Sequence, residues 1–338
     1  MIVKNEERMI ERALACARPI CDEMIVVDTG STDRTVELAE AMGARVFNFP
    51  WIDDFAAARN ASFDHCTCDW IMWLDADDII TEENQQKILQ QKEAGMPDWF
   101  NVIVTSYNVW LGIHHEQMRV MRRERLIRRG SGLRWQHAVH ENIDHPTYGT
   151  NYRYDIAIDH RSDETTRPER TLRNRRLMEL AIEGGADHFD ILKNYAIDLF
   201  DQGRWEEAAA YFLKARERRP NSHREYDILH SLSMCARYSG DLEQSLRWAT
   251  EAAAYDNTQP DGHVMIALYH VDRMEWTDAI IHLTAATECN WEDRRESPYV
   301  RPIYFSDAPW DLLAQCYERV GDIAGAERCR ARIAEIQV

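Results

Sequence analysis

A chain of 338 residues, 45% apolar and 29% charged, is long enough for two domains and has the composition of a protein that buries a sizeable core. Its net charge of −18 argues against broad binding to nucleic acid or to an anionic membrane, since both repel an acidic surface. Eight scattered cysteines lack zinc-knuckle spacing, Cys66 and Cys68 being the closest pair, and no apolar run approaches the roughly 18–20 residues of a membrane span. Reduced thiols, a cytoplasmic setting and no secretory leader are expected.

Met1, Ile2 and Val3 read as a short strand, followed at Lys4-Asn5-Glu6-Glu7 by a helix with apolar positions at Met9, Ile10 and Leu14. A second apolar strand over 23–27 ends at Asp28-Thr29-Gly30-Ser31-Thr32-Asp33, a small polar turn ahead of a helix over 35–42. Gly43 stops that helix and Ala44 opens a third strand. Another helix starts near Phe55 and places Arg59 and Asn60 on one edge. Trp70-Ile71-Met72-Trp73-Leu74 then reads as a buried strand that ends abruptly in Asp75, Asp77 and Asp78. Strands alternating with helices imply a βαβ, Rossmann-like, mostly parallel sheet. Strands are expected again over 101–109 and 154–160, the second ending at His160. Between them, seven arginines and a single acid, Glu124, fill 119–134, and His140-Glu141-Asn142 follows.

From Arg161 onward the strand signals end. One helix is predicted over 167–183, with Pro168 in its first turn. Gly203-Arg204-Trp205-Glu206-Glu207-Ala208 then recurs in kind at Gly240, Met274 and Gly321, starts that are 37, 34 and 47 residues apart. That period belongs to tetratricopeptide-like helix–turn–helix arrays. An insertion over 291–307, carrying Pro298 and Pro302, lengthens the last gap. The expected division is an α/β domain over 1–160 and an all-α repeat domain over 161–338.

Groups at the carboxyl ends of strands in an open α/β sheet converge on the crevice where such folds bind ligands. Asn5 and Glu6 follow the first strand, Asp28 the second, and Asp75 to Asp78 a later one. Asp75 and Asp77 offer oxygen to a hard divalent cation, which in turn can hold a diphosphate. Asp33 reads as a helix cap, whereas Asp28 is expected to face the crevice. Concentrated arginine beside a diphosphate suits charge-assisted phosphate binding, with Arg125 and Arg128 as the expected contacts. The lack of interleaved aromatics argues against nucleic acid. His114, His115, His137 and His145 lack metal-ligand spacing and read as incidental, and Trp205, Leu242 and Trp276 recur with the repeat and read as core.

Four ordered blocks, Ile2-Val3-Lys4-Asn5-Glu6-Glu7, Val26 to Asp33, Trp51-Ile52-Asp53-Asp54-Phe55 through Ala58-Arg59-Asn60, and Trp73 to Asp78, resemble the nucleotide-sugar-dependent glycosyltransferases of family 2, with their GT-A fold. The whole chain is similar to the subgroup that couples this domain to tetratricopeptide-like repeats. The resemblance implies that Asp28 contacts the uracil or ribose of a UDP-sugar, and that Asn5, Glu6 and Arg59 line the same pocket. It implies that Asp75 touches ribose or water, that Asp77 holds Mn²⁺ or Mg²⁺ with Asp75 beside it, and that His160 completes the metal shell or touches phosphate. Glu141 matches the late acidic motif, here His-Glu where many members have Glu-Asp. The general base is then Glu141 or His140, and in the latter case Glu141 orients the acceptor.

The implied reaction is a metal-dependent, inverting displacement in which an acceptor oxygen or thiol attacks and UDP leaves. A concave repeat surface suits a peptide or protein acceptor, or self-association, and the 291–307 insertion is a candidate contact with acceptor or with the first domain. Two other classes are a binding module with a relic transferase fold, and a transferase acting on nucleic acid or on a small-molecule or glycan acceptor.

Overall fold

The computed structural model describes residues 1–111, 117–146, 148–161, 167–218, 222–289, 304 and 306–336. They form two compact units, Met1–Ala181 and Ile182–Val338. In the first, β1 (Ile2–Val3), α1 (Ile10–Ala17), β2 (Ile25–Asp28), α2 (Thr35–Ala41) and β3 (Arg45–Asn48) build a parallel sheet of order β1-β2-β3. Every residue of β2 is buried, which is why it reads as a continuous apolar run. Ile10 and Leu14 of α1, one helical turn apart, pack on Val3, Val26 and Ala39.

Asp54 starts α3 (Phe55–Asp64), its carboxylate accepting from the Ala57 amide at 2.9 Å. β4 (Trp70–Met72), β5 (Asp78–Ile79), α4 (Glu82–Ala94), β6 (Val102–Leu111), β7 (Gln117–Arg128) and β8 (Thr150–His160) complete the α/β part. Their five strands form a second sheet of order β4-β7-β6-β8-β5, in which β6 and β8 are the parallel pair and the other pairings are antiparallel. The strand ahead of Asp75 therefore does not extend the parallel sheet; β4 pairs with β7, Trp70 opposite Arg128. The arginine-rich run is an interior strand. Its guanidinium groups lie on rings, Arg122 at 4.2 Å from the Tyr154 centroid and Arg125 at 3.7 Å from Trp73. Ile71, Trp73, Val102, Val104, Ile127 and Trp135 pack there against Ala56 and Phe63 of α3.

The helix read over 167–183 is α5 (Arg167–Glu183). The boundary between units falls inside it, at Ala181 and not at 160, because its first turns pack with the α/β part: Arg173 lies over the Phe55 ring at 4.9 Å and Arg170 reaches Asp77. The second unit continues as four helix pairs: α6 (Phe189–Asp201) with α7 (Trp205–Glu217), α8 (Ser222–Tyr238) with α9 (Leu242–Tyr255), α10 (Pro260–Asp272) with α11 (Trp276–Glu288), and α12 (Ala308–Arg319) with α13 (Ile323–Ile336). Each recurring signature is the turn inside a pair. Its first residue takes the left-handed conformation that ends a helix, φ 76 at Gly203, 89 at Gly240, 61 at Met274 and 81 at Gly321. The small residue five positions on, Ala208, Ser245, Ala279 or Ala326, is buried where two helices meet.

Met274 stands where the other three copies have glycine, and its side chain is 71% exposed, so it contributes little packing. A left-handed residue with a Cβ costs about 1–2 kcal/mol, partly offset by the lower chain entropy of a non-glycine residue when unfolded. Met274→Gly is expected to raise stability by up to about 1 kcal/mol, read as a higher midpoint in thermal or urea unfolding. An unchanged or lower midpoint would contradict this account of the turn. Most of the 291–307 insertion, and His114 and His115, lie outside the described residues. Among the described residues no helix is long and apolar enough to cross a membrane.

Candidate active site

The acidic stretch after β4 folds into a turn closed on itself. The Asp78 amide donates to the Asp75 carbonyl at 3.1 Å, and the Asp75 amide donates to the Asp78 carboxylate at 2.9 Å. Asp78 points inward and is fully buried. Its Oδ2 accepts from Arg125 Nη1 at 2.7 Å, while its Oδ1 lies 3.0 Å from His160 Nδ1 and 3.3 Å from the Tyr107 hydroxyl. The pairing of β5 with β8 sets Asp78 opposite His160 and brings that histidine to the turn.

Arg125, expected against a ligand, is sealed beneath the turn. It is wholly buried, lies between the rings of Trp73 at 3.7 Å and Tyr107 at 4.2 Å, and donates to the Trp73 carbonyl as well as to Asp78. Arg128 donates to the carbonyls of Phe100 and Pro97. It lines a larger cavity of about 710 Å³ with Cys21, Cys66, Cys68 and Trp70, which holds none of the other expected site residues. The structure brings neither arginine to the acidic turn's outer face, because every second side chain of an interior strand must pack against its own layer.

Asp75 and Asp77 face outward. Asp77 Oδ1 lies 3.2 Å from His160 Nδ1 and its Oδ2 lies 3.7 Å from Arg170 Nη1. Donor atoms of Asp75, Asp77, Asp78 and His160 all fall within 4.8 Å of one another. Burial works against a charged imidazole at His160, but hydrogen bonds from Asp77 and Asp78 hold it protonated up to about 10. Burial likewise opposes the Asp75 charge, yet Arg59 and then Arg125 hold its carboxyl far below the usual range. With Asp78 committed to Arg125, two carboxylates and one imidazole remain, a donor set that fits Mn²⁺ or Mg²⁺.

Arg59 joins this group to Glu141. Its Nη2 donates to Asp75 Oδ1 at 2.8 Å and its Nε to Glu141 Oε1 at 2.7 Å, with the Trp73 and Trp135 rings each 4.9 Å from the guanidinium. Local structure explains why Glu141 arrives there. The Asn60 side-chain amide donates to the Trp135 carbonyl and accepts from the Trp135 amide, both at 3.0 Å. Gln136 and Asn142 pair as a β-bridge, and the Phe55 amide donates to the Ala138 carbonyl at 2.8 Å. The intervening loop is tight, with His137 and His140 at φ 71 and 53. His140 is thus positioned one residue before Glu141 on a loop pinned to α3.

Beside the acidic turn lies a cleft of about 240 Å³, lined by Glu6, Arg59, Asp75, Asp77 and His160 among others. Burial, then the neighbouring Asp77 and Arg170, set the Glu6 carboxyl, with the net effect a rise to about 7. Asn5 binds the facing loop, its Oδ1 accepting from the Thr32 amide at 2.8 Å while its own amide donates to Ser31 Oγ. Asp28 is turned onto its own loop, accepting from the amides of Gly30 and Ser31 at 3.1 Å, and is not among the residues that line the cleft. Four lining residues went unread in the sequence: Trp51, Phe55, Arg170 and Arg173. The two arginines, three apart on a helix assigned to the repeats, carried a usable signal in that spacing, which puts both on one face.

Comparison with known proteins agrees with this geometry. The family model described as glycosyl transferase family 2 matches residues 1–150, and a tetratricopeptide repeat model matches 187–257. A TPR repeat-containing protein of Synechococcus elongatus is 30% identical over 259 residues, 73% of this chain and 63% of that protein. An uncharacterized glycosyltransferase of Rickettsia bellii is 42% identical over 88 residues, 26% of this chain and 30% of that one. The prophage-derived glycosyltransferase SunS of Bacillus subtilis is 27% identical over 232 residues, 64% of this chain and 52% of SunS. The chain thus spans less than two thirds of the length of these curated relatives. Among solved structures, MamA of Desulfovibrio magneticus aligns with 51% of this chain and 88% of its own at 13% identity and a TM-score of 0.41.

Proposed function

Residues 1–150 are a glycosyltransferase family 2 domain and residues 187–257 carry tetratricopeptide repeats, and from that premise we propose that the chain moves a sugar from a UDP-sugar to an acceptor in a metal-dependent, inverting displacement. The observation that carries this reading is the meeting of Asp75, Asp77 and His160 with Arg59, Arg170 and Arg173 on one cleft. Mn²⁺ or Mg²⁺ held by Asp77, Asp75 and His160 supplies positive charge to a departing diphosphate. Arg170 and Arg173 add guanidinium donors to the phosphate oxygens as the bond to the anomeric carbon breaks and UDP takes the electron pair. Asn5 and Glu6 border the nucleotide side, with Trp51 and Phe55 as an apolar wall for base or sugar.

On the opposite face of the sugar, Glu141 takes the proton of the acceptor oxygen or thiol as the new bond forms. Arg59 keeps that carboxylate ionised and aimed. Glu141→Gln is expected to lower kcat about 10²-fold or more while leaving donor binding intact. His140→Ala is the companion variant: a comparable loss there, with Glu141→Gln active, moves the base to the imidazole. The repeats support a peptide or protein acceptor. The eight cysteines are free, which supports a reducing, cytoplasmic setting.

The test is a screen of UDP-sugars for thermal stabilisation with Mn²⁺, followed by transfer assays with the donor that stabilises most. A donor-specific rise in Tm that needs the metal supports the proposal. No UDP binding, no hydrolysis and no transfer with any donor would overturn it and leave the repeats as the functional part.

A further inference from the structure

The second unit holds a row of histidines that the reaction above does not use. His263 and His270 lie seven residues apart on α10, two turns along one face, and His282 of α11 meets both. His263 Nδ1 and His282 Nδ1 are 3.4 Å apart, with ring centroids at 5.7 Å. The His282 and His270 rings stack at 5.9 Å, 8° from parallel. His270 Nδ1 is in turn 2.8 Å from Glu275 Oε2, whose other oxygen accepts from Arg273 at 2.9 Å. Donor atoms of His270, Glu275 and Asp278 lie within 4.8 Å of one another.

A nitrogen–nitrogen hydrogen bond between imidazoles is expected near ~2.9–3.0 Å, and 3.4 Å is long for one. It matches instead the edge of a tetrahedron: two nitrogens each about 2.0–2.1 Å from one cation sit about 3.3–3.4 Å apart. Asp278 precedes His282 by four residues on α11, the helical spacing that turns two donors the same way. The carboxylate of Glu275 on His270 Nδ1 orients that ring as carboxylates orient ligating histidines, leaving Nε2 as its coordinating edge. Three imidazoles and a carboxylate favour a borderline transition metal over Mg²⁺ or Ca²⁺.

We propose that the α10–α11 pair binds a zinc-class divalent cation, anchored by His263 and His282, with Asp278 and His270 completing the set. The ion cross-links the two helices of one repeat and stabilises it by mass action. This site is independent of the sugar-transfer reading.

The experiment strips the full chain with chelator and titrates it with Co²⁺ and Zn²⁺, comparing wild type, the double variant His263→Gln/His282→Gln, and Asp77→Asn. The expected result is the visible d–d spectrum of four-coordinate Co²⁺ in wild type and in Asp77→Asn, absent from the double variant. Zn²⁺ affinity of the double variant falls at least roughly tenfold, with its circular dichroism unchanged. No such spectrum in wild type, its persistence in the double variant, or its loss in Asp77→Asn alone would each overturn the proposal. A double variant that unfolds is replaced by His270→Gln, for which the same loss is expected and the same persistence is fatal.

Discussion

Asp77→Asn is expected to lower sugar transfer by about 10³–10⁴-fold with the fold retained, since removing one carboxylate from a cation site forfeits several kcal/mol of leaving-group stabilisation. The side chain is suited to such a test. Its two oxygens face His160 at 3.2 Å and Arg170 at 3.7 Å, both at the cleft, and no buried ion pair depends on it. The measurement pairs transfer rates with Mn²⁺-dependent stabilisation by the donor. Both should fall together, while the Tm of the ligand-free chain stays close to wild type. A variant within tenfold of wild-type activity would remove Asp77 from the reaction.

Arg125→Met is expected to have the largest effect on stability, about 3–5 kcal/mol, because it leaves the carboxylate of Asp78 buried and uncompensated. The shape of the cavity is roughly kept, so loss of packing between Trp73 and Tyr107 is the smaller part. Arg128→Met, which gives up bonds to two loop carbonyls, should cost no more than about 1–3 kcal/mol. Adding Asp78→Asn to Arg125→Met should recover part of the loss, since the stranded charge is then gone. Urea midpoints for the four chains decide it. Equal losses at Arg125 and Arg128 would contradict the assignment of Arg125 to the floor of the site.

Local patterning made much of this molecule legible in the sequence. β2 announces itself because burial on both faces demands an unbroken apolar run, and α5 was read to its terminal residues from Pro168 and its charge pattern. The repeat turns were legible for a stereochemical reason, since three of four left-handed positions carry glycine. What stayed hidden depended on contacts distant in sequence. Arg125 meets Trp73 and Asp78 across some fifty positions, so a stretch that looks like a solvated charge cluster becomes the floor of the site. Arg170 and Arg173 were visible as residues, but nothing in the chain says which unit the first turns of α5 pack against. Asp28 illustrates a different limit: a carboxylate at a strand end can serve a ligand or its own turn, and the amides of Gly30 and Ser31 lie close enough to claim it.

The guanidinium of Arg59 touches Asp75 with one nitrogen and Glu141 with another. A single rigid, planar group thus reports the state of the donor side to the acceptor side. A phosphate that draws on its Nη2 weakens the hold on Asp75 and reorients the plane that aims Glu141. Substrates should accordingly bind in a compulsory order, donor first, with the carboxylate aligned for proton removal after the nucleotide is seated. Product-inhibition patterns would show it, with UDP competitive against the donor and noncompetitive against the acceptor. The same coupling disfavours wasteful attack by water, since a chain without its donor holds its base against an arginine.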